Sequence, residues 1–183
     1  MSITSILERL AKGSMFFLVS VTVHAASSPA SHDASALLAE IDATSAKQVI
    51  ARLNAKPNPN DWDGVIRQIR SGQPAWLDVA AGLSRDADAG SATDLKISLA
   101  HALPKNPEGV LALTGSQEFL KVEEVCGAPF IEPTDRFLQH YLVRARQAVA
   151  HLHEPALEAV QAACLARLEH AERRLRALRR TDR

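Results

Sequence analysis

The stretch DWDGVIRQIRSGQPAWLDVA, residues 61–80, places two short helices back to back. Asp61 is a cap residue, Val65, Ile66 and Ile69 recur at helical spacing, and Gly72 stops the run. Pro74 suits the first turn of the second helix, which carries Trp76, Leu77, Val79, Ala80 and, just beyond, Leu83. Nothing in these residues alternates with a period of two, so the spacing predicts helix and not strand.

The same punctuation continues on both sides. Toward the N-terminus, Asp33 caps a short helix with Leu37, Leu38 and Ile41. Asp42 or Thr44 restarts a second with Val49, Ile50 and Leu53, which Pro57 and Pro59 end. Toward the C-terminus, Ser91 and Asp94 form a capping-box pattern before Leu95, Leu99, Ala102 and Leu103. Asn106-Pro107 starts another helix, through Val110, Leu111 and Leu113. Between Gly115 and Pro133 the pattern assigns neither helix nor strand; Phe119, Leu120, Val122 and Val125 fit both. Thr134 or Asp135 opens a long helix through Phe137, Tyr141, Ala145 and Val149, and Pro155 opens a last one through Val160, Cys164, Leu168 and Leu175.

The expected fold is therefore all-α: an irregular array of short helical hairpins over about residues 33–114, followed by a longer antiparallel helix pair over about 134–180. No fixed period of the roughly 34–47 residues used by helical solenoids is present. Helices this short are marginal alone and must bury their apolar faces against one another.

The first 25 residues read as a signal peptide. Arg9 and Lys12 precede the apolar run Met15–Val23, and Val23-His24-Ala25 offers small residues for cleavage. No cysteine stands directly after that run, which argues against a lipid anchor. Residues 26–32 (ASSPASH) read as a flexible leader and 33–183 as a single helical domain. The expected location is periplasmic or secreted, with no membrane segment after cleavage.

The 183 residues carry 21 basic and 21 acidic side chains; without residues 1–25 the balance is 19 against 20. That neutrality, with export, disfavours nucleic acid as a partner. Six aromatics remain after residue 25, so the core is filled mainly by aliphatic side chains. Cys126 and Cys164 form the expected disulfide, because an oxidising compartment favours pairing and no C-x-x-C redox motif is present.

No catalytic motif stands out. The chain has no G-x-S-x-G, S-x-x-K, H-E-x-x-H or Gly-rich phosphate loop, and no cofactor is expected. Asp86, Asp88, Gly90 and Asp94, like Asn58, Asn60, Asp61, Asp63 and Gly64, suggest a calcium loop, but the glycine spacing and the missing distal glutamate favour helix caps, so no metal is expected. His151 and His153 lie near a helix C-terminus, where imidazolium suits the dipole; His140 stands earlier on the same helix.

The strongest bias is at the end of the chain. Residues 166–183 hold seven arginines against three acidic residues. Arg173, Arg176 and Arg180 are candidate contacts for an acidic partner, set against a solvated face laced by Glu169–Arg173 and Glu172–Arg176 pairs. Trp62 and Trp76 are core anchors, and either one, if exposed, is a candidate partner contact.

The stretches 61–80, 88–95 (DAGSATDL) and 103–111 (LPKNPEGVL) resemble a family of small exported helical proteobacterial proteins without an assigned activity. The resemblance implies export and a helical fold and carries over no catalytic residue. In size, export, helicity and a single disulfide the chain is also similar to type VI secretion amidase immunity proteins. The expected function is a non-enzymatic periplasmic protein that binds another protein, as a toxin-neutralising immunity protein or an adaptor. The alternative is a small envelope hydrolase or ligand-binding protein.

Overall fold

The computed structural model describes residues 33–55, 60–116 and 120–181. The expected signal peptide and leader, the stop at Pro57 and Pro59, and Phe119 lie outside the described residues. Among those described, every regular element is helical. They are α1 (Ala34–Ala43), α2 (Ala46–Leu53), α3 (Asn60–Ile69), α4 (Pro74–Ser84), α5 (Ala89–Ala102), α6 (Pro107–Ser116), α7 (Val122–Val125), α8 (Asp135–Ala150) and α9 (Glu158–Thr181), with a single 3-10 turn, Pro155–Leu157, before α9.

Side-chain caps set most of the helix starts. Asp33 Oδ1 accepts from the Ser35 N–H at 3.0 Å, and Thr134 Oγ1 accepts from the Phe137 N–H at 3.2 Å. Three expected caps move. Ser45, not Asp42 or Thr44, starts α2 and accepts from the Gln48 N–H; Asp42 is still inside α1, and the Thr44 hydroxyl donates back to the Glu40 carbonyl to close it. Asp88, not Ser91, caps α5 by accepting from the Ser91 N–H at 2.8 Å. Asp94 does not reach back, because its carboxylate accepts instead from the Trp62 indole N–H at 2.8 Å. Asp61 stands in the first turn of α3, which begins one residue earlier.

The apolar pattern of each helix decides what surrounds it. Seven of the eleven residues of α4 are buried, Trp76, Leu77, Val79, Ala80 and Leu83 among them. A helix apolar on most of its circumference must be enclosed. Accordingly α1, α2, α3, α5 and α6 all pack on α4, and α3 also packs on α5. The short helices therefore assemble around a central one, where sequence order alone suggests a stack of successive hairpins. Each fully buried leucine in this core, such as Leu83, Leu99 or Leu103, contributes about 2 kcal/mol of transfer free energy.

The expected long pair is present. α8 packs against α9, and Gln161 of α9 donates to the carbonyls of Val149 and Leu152 at 2.7 and 3.0 Å, satisfying the open C-terminal end of α8. His151 caps the same end, its Nδ1 lying 2.7 Å from the Gln147 carbonyl oxygen. Contacts of α6 with α8 and α9, and of α7 with α9, join this pair to the rest. One hydrophobic cluster runs from Ala34 to Leu175.

The stretch that the sequence leaves open contains α7 and a tight turn. Cys126 at the end of α7 is joined to Cys164 of α9, with Cα atoms 5.3 Å apart, as the cysteine count predicts. Beyond it the Phe130 N–H donates to the Ala128 carbonyl at 2.8 Å, a γ-turn about Pro129. Ala128 takes a positive φ of 56° there. The turn delivers Phe130 to the flank of α8. No described helix is long and apolar enough to cross a membrane.

Candidate functional site

Charge is distributed unevenly between the two parts of the fold. Residues 33–134 hold nine basic and fourteen acidic side chains, whereas 135–181 hold nine and five. The α8–α9 pair is thus a basic face on an acidic body, and the two flanks of α8 differ in what they present.

One flank faces α9 across a groove of about 370 Å³. Helical spacing puts Gln139, Leu142, Val143 and Arg146 of α8 on this side, opposite Glu172, Leu175, Arg176 and Arg179 of α9. Arg176 Nη2 donates to Glu172 Oε2 at 3.0 Å, and Arg146 Nε lies 3.3 Å from Glu172 Oε1 without hydrogen-bond alignment. Arg179 bridges Asp135 Oδ2 at 2.9 Å and Gln139 Oε1 at 3.0 Å. Glu172 is 15% exposed, against 52% for Arg146 and 65% for Arg176, so the acid lies deep and the guanidinium groups stand at the mouth. A guanidinium carries five donors and one carboxylate engages at most two, so donors remain for a ligand. Val143, 40% exposed, adds an apolar patch beside them.

The residues singled out from the sequence separate. Arg176 lines the groove. Arg173 points to the outer face of α9 and pairs with Glu169 at 2.8 Å, as the i,i+4 spacing predicts. Arg180 is exposed and makes no ion pair among the described residues. Trp62 and Trp76 are 5% and 6% exposed, so the partner contact reserved for an exposed tryptophan falls to neither; both pack inside, and Asp94 satisfies the indole of Trp62. Arg146 and Arg179 complete the groove. Sequence reading singled out neither: Arg146 lies outside the arginine-rich last helix, and nothing in that helix's sequence distinguishes Arg179 from Arg180.

A hollow of about 750 Å³ lies beside Trp62 and is bordered by Lys47, Asp86, Asp88 and Asp94. Two of its acids already work as structure: Asp88 caps α5 and Asp94 holds Trp62. Hydrogen bonds from Ser91 hold the Asp88 carboxyl below its ordinary pKa. Among the described residues no three His, Cys, Asp or Glu side chains are grouped to hold a metal ion.

The other flank of α8 carries an aromatic cluster. The Phe130 ring packs edge-on against Phe137 and Tyr141, with centroids 4.9 and 4.7 Å away, and His101 of α5 lies 4.9 Å from Phe130. Burial, and secondarily the charges of Arg70 and Lys105, push the His101 pKa below its ordinary value. The neutral ring is therefore the one the folded state prefers. Below the unfolded pKa, about 6.5, the unfolded chain takes up a proton that the folded chain resists. The His101 contribution to stability is full above that pH and is lost as pH falls toward the folded pKa. A His101→Gln variant compared with wild type from pH 7.5 to 5 should show a stability gap that moves against wild type on acidification. A gap that stays constant with pH would refute the assignment.

Comparison with known proteins adds no relative: no family model, curated protein or solved structure matches the chain.

Proposed function

We propose that the protein is a non-enzymatic, exported protein-binding protein, of the toxin-neutralising or adaptor kind, that docks an acidic segment of its partner in the α8–α9 groove. The observation that carries this reading is the groove itself: Arg146, Arg176 and Arg179 around one recessed glutamate, with Val143 exposed among them. Arginine forks match carboxylates in pairs, and a mixed basic and apolar groove suits a segment that alternates acidic and apolar side chains. Export is supported by the N-terminal pattern and by the Cys126–Cys164 bridge, which belongs to an oxidising compartment.

The test uses a labelled peptide rich in Glu with one central Leu, and its Lys-for-Glu counterpart. The acidic peptide should bind with an affinity that falls steeply with salt, and the basic one should not bind. Replacing Arg146, Arg176 and Arg179 together with Gln should weaken binding about a hundredfold, at about 1 kcal/mol per arginine. In capture from periplasmic extract, the same triple variant should lose a stoichiometric protein that wild type retains. Equal binding of both peptides, or an undiminished triple variant, would overturn the proposal. So would a dimer of wild type that dissociates in the triple variant, because the groove would then be an interface between copies.

A further inference from the structure

The aromatic flank of α8 borders a second, smaller cavity, open to solvent on one side, that the groove does not involve. It measures about 140 Å³ and lies between the end of α5, the turn that follows it and α8. Its lining combines Phe137 and Tyr141 with His101, Lys105, His140 and Arg144, and includes no acidic residue. Arg70 adds charge nearby: Lys105 Nζ donates to the Arg70 carbonyl, and the Arg70 charge is felt at His101.

One buried polar atom of the lining lacks a partner. Tyr141 is 5% exposed and its hydroxyl makes no hydrogen bond. Buried donors are almost always satisfied, so an orphan hydroxyl on a residue lining a cavity points to something that sits there. The Tyr141 hydroxyl stays protonated far into the alkaline range because it is buried, so it remains a donor.

From this geometry we infer that the cavity is a binding site for a small free carboxylate with a compact apolar body, such as an aromatic acid. The volume is close to that of a cavity that holds one benzene ring. The rings of Phe137 and Tyr141 supply an apolar wall, Lys105 and Arg144 supply the countercharge, and Tyr141 supplies a neutral donor. With no acid in the lining, an ammonium group finds no partner, which excludes amines and disfavours zwitterionic amino acids. The site is independent of the α8–α9 groove, because Arg144 and Arg146 leave opposite sides of α8.

The experiment is calorimetric titration of the full protein with benzoate, benzamide and benzylamine, followed by backbone amide NMR. Benzoate should saturate a single site with a Kd on the order of 1 mM, a typical strength for nine heavy atoms. Benzylamine should not bind, and benzamide should bind at least tenfold more weakly than benzoate. Amide shifts should cluster at residues 101–105 and 137–144. Arg144→Gln, on an exposed side chain whose loss leaves folding intact, should weaken benzoate roughly tenfold, and Tyr141→Phe severalfold without moving the groove arginines. Absence of saturation at roughly ten times the expected Kd would overturn the inference, as would benzamide binding as well as benzoate. An Arg144→Gln protein with unchanged affinity, or shifts confined to the α8–α9 groove, would also overturn it.

Discussion

Replacing Cys126 and Cys164 together with alanine is expected to lower the stability of the protein by about 4 kcal/mol, read as a shift of the urea midpoint at matched pH. The two residues are 38 apart, and closing a loop of that length removes about that much chain entropy from the unfolded state. The folded side adds a reason of its own. α7 is a single turn of four residues, too short to persist on its own helical propensity. Both cysteines are fully buried, and the bridge pins this turn to the second turn of α9. Alanine is the better replacement, since serine would leave two buried hydroxyls in search of partners. The slope of the unfolding transition should rise as well, because an unlinked unfolded chain exposes more surface. Reduction of the wild-type protein should move the midpoint in the same direction. A loss under about 1 kcal/mol would mean that α7 is held by its packing against α5, α6 and α9 alone.

That bridge was legible from two cysteines and a compartment argument; the groove was not. Local signals carried the helix starts where the cap is adjacent in sequence, at Asp33, Asn106 and Thr134. They misplaced the start of α5, because Asp94 serves a tryptophan 32 residues away, and no capping rule sees that partner. They showed α4 to be apolar but not that this makes it the hub of the array. The candidate site depends on register: which α8 residues face which α9 residues follows from how two long helices meet. The Arg-rich end of the chain advertised a charged surface, yet its arginines divide between the groove and the outer face of one helix. The cavity was the least visible feature. His101, Lys105, Tyr141 and Arg144 come from segments about forty residues apart and form no motif.

Asn106 is where a sequence-legible cap and a tertiary contact coincide, and its replacement is expected to have the second large effect. Its Oδ1 accepts from the Gly109 N–H at 2.9 Å, the cap that Asn-Pro announces for α6. Its Nδ2 donates to the Gly72 carbonyl at 2.8 Å, in the turn between α3 and α4. Gly72 is buried with a φ of +77°, a left-handed conformation that suits glycine, and a Cβ there would lie 3.2 Å from that of Asn106. On the other side, a Cβ at Gly109 would come within 2.7 Å of Leu77 Cδ1 and 2.8 Å of Asn106 Nδ2. One side chain thus fastens α6 to the α3–α4 turn, at a point where Gly109 packs against Leu77 of the hub helix with no slack. Asn106→Ala removes the cap, at about 1 kcal/mol, and leaves the Gly72 carbonyl unpaired, at about 1–3 kcal/mol, for a total of about 3 kcal/mol. Asn106→Ser restores a capping oxygen but not the amide donor, so it should recover only the first part. Asn106→Asp keeps the acceptor but turns a carboxylate oxygen toward the Gly72 carbonyl, so it should be no better than serine. Urea unfolding of the three variants separates the terms. If serine proves as stable as asparagine, the link to Gly72 contributes nothing; if alanine costs less than about 1 kcal/mol, the junction does not depend on Asn106 at all.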